Sequence, residues 1–152
     1  MKIQIGVTGK KTAIKRRKIR NLVRTIFTAS GFPEGPGTRA GELSLVFTDD
    51  SFISELNLRY LGRKGPTNVL AFSLSEGEPE FLAEIVISVE TAAREARRAG
   101  IGREERLAEL LVHGILHLFG YDHRNRQEAG KMSRKEKEIL QMINKSQKMT
   151  ND

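Results

Sequence analysis

Apolar and polar positions alternate over residues 2–7 (KIQIGV), which predicts a strand. From about Lys11 the period changes. Ile14, Ile19, Leu22, Val23, Ile26 and Phe27 recur at helical spacing, and the helix is expected to stop near Gly31, at the turn-rich GFPEGPG. ELSLVF (42–47) alternates again. Asp49, Asp50 and Ser51 offer side-chain oxygens to cap a helix through Leu61, with Ile53, Leu56 and Tyr60 expected on its inner face. A basic loop from Gly62 to Pro66 leads to two more expected strands, 68–73 (NVLAFS) and 83–89 (AEIVISV). Three helices follow, at about 89–99, 103–119 and 125–145, and the polar SQKMTND at 146–152 is expected to fray. The order β-α-β-α-β-β-α-α-α predicts an α+β fold, a single domain over 1–152 with one small mixed β-sheet covered by helices. Phe27, Phe47, Phe72 and Phe119 fall at core-like positions, so they read as packing rather than as stacking platforms for bases.

Composition narrows the function classes. The chain has 152 residues, 38% of them hydrophobic, enough for one self-sufficient core. It has no cysteine, which excludes disulfides, cysteine zinc fingers, iron–sulfur clusters and thiol catalysis. No run reaches the ~18 apolar residues of a membrane-spanning helix. The N-terminal MKIQIGVTGKKTAIKRRK lacks the apolar stretch of a secretory signal, so a soluble cytoplasmic protein is expected. The net charge is +7, and its distribution matters more than its size. Residues 1–40 hold ten Lys and Arg, among them Lys15, Arg16 and Lys18, against one acid, Glu34. The rest of the chain is slightly acidic. Such a segment attracts polyanions, nucleic acid foremost, or else serves as a solvated helix face.

The three histidines all fall in HGILHLFGYDH (113–123). His113 and His117 are four apart, which on a helix puts both rings on one face, one turn apart. The rest of that helix is apolar almost all round, the mark of a buried element, and buried imidazoles need partners. Gly120 can take the left-handed conformation that ends a helix, turning the chain back through Tyr121 and Asp122 and bringing His123 toward the other two rings. Three neutral imidazoles make a good Zn²⁺ site with its fourth position open to water, the pattern of catalytic zinc. The spacing H-x3-H-x2-G-x2-H matches that of metzincin proteases, but their general-base glutamate is Gly114 here. The glycine is expected to leave room for substrate or for a neighbouring backbone.

At these residues the sequence resembles the YbeY family of bacterial metal-dependent proteins of ribosomal RNA maturation. HGILHLFGYDH looks like that family's histidine signature, and LNLRYLGRKGPTNVLAFSL (56–74) is similar to its second signature, L-N-x-x-Y-R-G-K-D-x-P-T-[DN]-V-L-S-F. The likeness runs on through LAEIVIS (82–88) and MSRKEKEIL (132–140). It implies an α+β fold with one zinc held by His113, His117 and His123. It also implies a single-strand-specific endoribonuclease that matures the 3′ end of small-subunit rRNA and serves ribosome quality control, with the small ribosomal subunit and a ribosomal protein as partners. The chain departs from the pattern at Leu61, where the family has a functional arginine, at Lys64, where it has an acid, and at Ala83-Glu84, where it has Gly-Asp.

The expected chemistry is RNA phosphodiester cleavage at a zinc-bound water. Glu84 and Asp122 are the candidates for general base, with Asp122 alternatively orienting a histidine from outside the metal shell. Arg63, Lys64, Arg59 and the basic residues Lys15, Arg16 and Lys18 are candidates to hold phosphates. Two rival readings share the motif: a non-enzymatic RNA- or ribosome-binding assembly factor with a structural zinc, and a zinc peptidase.

Overall fold

Four strands form one mixed sheet: β1 (Lys2–Val7), β2 (Glu42–Thr48), β3 (Val69–Ser73) and β4 (Leu82–Ser88). Their spatial order is β1-β2-β4-β3, with β1, β2 and β4 parallel and β3 an antiparallel edge. The helices are α1 (Arg16–Ser30), α2 (Asp50–Leu61), α3 (Val89–Ala99), α4 (Arg103–Leu118) and α5 (Arg126–Asn151). The computed structural model describes residues 2–9, 13–31, 41–74 and 82–151, with side chains to 145. Lys10, Lys11, Glu34, Arg39 and most of the turn-rich loop after Gly31 lie outside the described residues.

Side-chain alternation along the strands divides the core in two. Leu43, Leu45, Phe47, Ala83, Ile85 and Ile87 face one way and bury against α1, α4 and α5. Val86 and Leu70 face the other way and bury against Ile53 of α2. In β4 the run Ile85, Val86 and Ile87 is apolar and buried on both faces of the sheet, whereas β2 keeps its alternation, with Leu43, Leu45 and Phe47 buried and Ser44 and Val46 half-buried between them. Asp49 caps α2 by accepting from the Phe52 N–H at 3.0 Å, and Ser88 caps α3 by accepting from the Thr91 N–H at 3.2 Å.

Three local expectations are corrected. α1 begins at Arg16, not near Lys11, because Lys15 is extended, and Ile14 stands five residues before Ile19, outside the helical period. Tyr60 is 60% exposed rather than inward. The inner position goes to Asn57, which is 4% exposed and donates from Nδ2 to the Gly65 carbonyl at 3.0 Å, tying down the loop before β3. α5 continues to Asn151 instead of stopping near 145. Among the described residues no helix is long and apolar enough to cross a membrane.

Candidate metal centre

α4 is apolar around most of its circumference, and Leu107, Leu110, Leu111, Val112, Ile115 and Leu116 are buried. One strip stays partly open, and His113 and His117 stand on it. The helix ends at Leu118. Gly120 then takes φ 94°, and the Tyr121 N–H donates to the Leu116 carbonyl at 3.1 Å. A residue with a Cβ is strained at that φ, so glycine lets the chain fold back here. The reversal brings the His123 ring to 5.4 Å from His117 and 6.3 Å from His113, centroid to centroid.

The two helical rings pack edge to face with centroids 4.6 Å apart and Nε2 atoms 3.1 Å apart. His113 Nδ1 lies 3.1 Å from Oε1 of Glu136, which reaches over from α5. An ionised carboxylate only accepts, so Nδ1 carries the proton and the Nε2 of the neutral ring is a bare lone pair. Burial first, then the His113 and His123 rings, push the His117 pKa below its ordinary 6.5, against the pull of Asp122 and a hydrogen bond to the Tyr121 backbone. His117 is therefore uncharged at neutral pH.

His113 and His117 thus aim Nε2 at nearly the same point. Two ligands of a tetrahedral zinc, each about 2.0–2.1 Å from the ion, stand about 3.3 Å apart. The separation and donor chemistry of His113 and His117 fit a divalent cation. The third ring stands off. Imidazole centroids around one zinc lie about 5 Å apart by the same geometry, and the His113–His123 pair, at 6.3 Å, is wider. His123 is also the most open of the three, its side chain 63% exposed. Among the described residues no group of three or more His, Cys, Asp or Glu side chains stands in metal-holding geometry.

The other expected residues divide sharply. Asp122 is occupied by its own loop: Oδ1 accepts from the His123 N–H and Oδ2 from Arg124 Nε, both at 2.7 Å. The Arg124 contact, then the His123 N–H, hold its carboxyl below the ordinary 3.8, which weakens it as a base. Its Oδ1 lies 4.0 Å from His123 Nδ1, an arrangement suited to orienting that ring. Glu84 pairs in register with Phe72 and Ser44, while its neighbour Ile85 packs toward Gly114 of α4. Alternation therefore puts Glu84 on the sheet face away from the histidines, and it is not a base for this centre.

Lys15, Arg16 and Lys18 sit at the start of α1, beside the start of α4. Lys18 pairs with Glu104 at 3.6 Å, and Arg16 Nε donates to the Ile5 carbonyl at 3.4 Å. His117 is thirteen residues beyond Glu104 on the same helix, about 20 Å at 1.5 Å per residue. These cations do not converge on the histidines. Arg59, Arg63 and Lys64 are exposed at the end of α2 and in the loop after it. That loop ends at Asn68, which lines a cavity of about 140 Å³ together with His113, Glu136 and Arg106.

Glu136 escaped the sequence reading, yet its signal was present. The buried stripe of α5 runs Met132, Ile139, Ile143. The spacing 132, 136, 139, 143 puts a carboxylate on that apolar stripe.

Known proteins agree with this architecture. The family model described as Endoribonuclease YbeY matches residues 4–144. A protein of Syntrophus aciditrophicus named Endoribonuclease YbeY is 43% identical over 150 residues, covering 94% of this chain and 90% of its own. One of the same name from Geobacter sulfurreducens is 41% identical, with 94% and 96% covered. A solution structure of a Thermotoga maritima protein superposes with a TM-score of 0.65 at 26% identity, covering 97% of this chain and 93% of that one. A family match over residues 4–144, a span that takes in the histidine segment and nearly all of the sheet, together with relatives above 40% identity over 94% of the chain, places this chain in the YbeY endoribonuclease family.

Proposed function

We propose that this chain is a divalent-cation-dependent endoribonuclease of the cytoplasm. It cuts single-stranded RNA, and its physiological substrate is small-subunit rRNA, matured at the 3′ end and surveyed in ribosome quality control. One observation carries the metal half of this reading: the Nε2 atoms of His113 and His117 converge at 3.1 Å on a helix whose remaining surface is largely buried. His113, His117 and His123 are the ligands in this proposal, with zinc as the ion, and His123 completes the set by a small movement of the 120–125 turn. A bound cation supplies a Lewis acid and an activated water. The chain's own residues do the rest. Asp122 orients His123 through its loop contacts. Arg59, Arg63 and Lys64 hold backbone phosphates beside the centre, and the basic start of α1 engages RNA farther along. Family membership supports RNA as the substrate class, and the proposal adds a ribosomal protein as a partner.

The peptidase reading loses its footing at Gly114, whose side-chain direction runs into Ile85 and Val69 and leaves no place for a base. The test is single-turnover cleavage of a labelled single-stranded RNA with added zinc, with chelator, and with His117→Ala. Cleavage is expected with zinc, and neither with chelator nor in the variant. RNA bound tightly by fully zinc-loaded protein but never cut would overturn the enzymatic reading in favour of an assembly factor. A His117→Ala protein that keeps a full equivalent of zinc would overturn the ligand assignment.

A further inference from the structure

Glu136 stands where α5 asks for an apolar side chain. Met132, Ile139 and Ile143 on the same stripe are 2%, 0% and 3% exposed, whereas the Glu136 side chain is 29% exposed and charged. Taking a carboxylate this far out of water is unfavourable unless a donor compensates. Among the described residues its ion-pair contact is His113 Nδ1, at 3.1 Å. A neutral imidazole holds one proton on one of two nitrogens, and only the other can ligate a metal. With the proton free to choose, part of the population would carry it on Nε2, where it blocks the position facing His117.

We propose that Glu136 is a positioning residue for the cation centre. By accepting from Nδ1 it fixes the His113 tautomer and the ring's rotation, and so presents a bare Nε2 toward His117. The inference rests on the reading of the histidines as cation ligands. It adds that a separate helix, α5, sets the competence of the ligand on α4. Partners of this kind typically change metal affinity 10–100-fold when removed.

The experiment compares the full-length protein with Glu136→Gln, Glu136→Leu and His117→Ala. Zinc affinity is measured by competition with a chromogenic chelator. The tautomer of His113 is read from ring nitrogen chemical shifts in the cation-free protein, and folding from thermal melts of that protein. Leucine completes the apolar stripe, so cation-free Glu136→Leu should melt at or above the wild-type temperature while binding zinc roughly 10–100-fold more weakly. Its His113 signals should move from the Nδ1–H form to a mixture. Glu136→Gln, which keeps an accepting oxygen without the charge, should fall between. Glu136→Leu with wild-type zinc affinity, or with His113 still wholly in the Nδ1–H form, would overturn the proposal while leaving the ligand reading intact. Wild-type protein that takes up no zinc would overturn the ligand reading itself, and the role of Glu136 with it.

Discussion

A methyl group at position 114 would lie 3.2 Å from Cδ1 of Ile85, 3.4 Å from its Cγ2 and 3.5 Å from Cγ2 of Val69. The glycine between the two helical histidines therefore makes room for the side chains of the sheet, not for substrate. Alanine here gains about 1 kcal/mol of helix propensity, and the nearest atom it meets is the free end of an isoleucine that can give way. Gly114→Ala should therefore stay within about 1 kcal/mol of wild type. Glutamate would have to bury a charge against two aliphatic side chains. Gly114→Glu should lose at least 3 kcal/mol or fail to fold, on the order expected for an uncompensated buried charge. Urea denaturation of the two variants checks both; a Gly114→Glu protein as stable as wild type would refute the placement of α4 on the sheet.

Elements are joined by polar contacts as specific as those at the histidines. Asp50, in the first turn of α2, accepts from Ser88 Oγ and Thr91 Oγ1, both at 2.6 Å, and pairs with Arg94 at 2.8 Å. It thereby locks α2 to the β4–α3 junction. Ser88 is fully buried, so Asp50→Ala leaves its hydroxyl without that acceptor; a loss of roughly 1–3 kcal/mol is expected. Burial raises the Asp50 pKa, but the hydrogen bonds from Ser88, Thr91 and Arg94 outweigh it and hold the carboxyl below 3.8. The unfolded chain therefore binds this proton first. The contribution is complete above pH 3.8 and is lost as pH falls through the lower folded value. Stability of wild type and Asp50→Asn measured from pH 5 down to pH 2 should converge at the acid end; parallel curves would mean Asp50 titrates as in the unfolded chain.

At the scale of the whole molecule, the basic start of α1 and the histidine cluster are separate. The start of α1 and the histidines lie at opposite ends of α4, so replacing Lys15, Arg16 and Lys18 together by Glu should leave zinc affinity unchanged. The same change should weaken RNA binding and flatten its salt dependence, each lost phosphate contact removing ~0.7 from the log–log slope for a single strand. Fluorescence anisotropy across a salt series reads this directly, and an unaltered slope would remove the segment from the RNA interface. The histidine end responds to pH instead. Because the His117 pKa is lowered in the fold, unfolded chains take up a proton that the folded ring refuses. Cation-free protein should hold its full stability above pH 6.5 and lose part of it as pH drops below that value, levelling off beneath the folded pKa. Added zinc should raise the melting temperature at pH 7.5 and cease to do so near pH 5, where protons displace it from the rings.

Nearly every element of this fold was legible in the sequence, because strands and helices announce themselves through periods of two and 3.6 residues along the chain. The helical histidine pair and the glycine turn that brings the third ring near were legible too, since four-residue spacing and left-handed φ are local properties. Contacts between elements were not. Glu84 is as close to the sheet's centre in sequence as any core residue, but the parity of its strand position, referred to where α4 packs, turns it away from the histidines. Tyr60 keeps helical spacing with Ile53 yet stands exposed at the end of α2, while Asn57 takes the inner place through a loop carbonyl. Glu136 becomes a partner of His113 only once α5 lies against α4. Periodicity fixes which face of an element is apolar; which element covers that face, and which polar group is trapped there, is decided only when the elements pack.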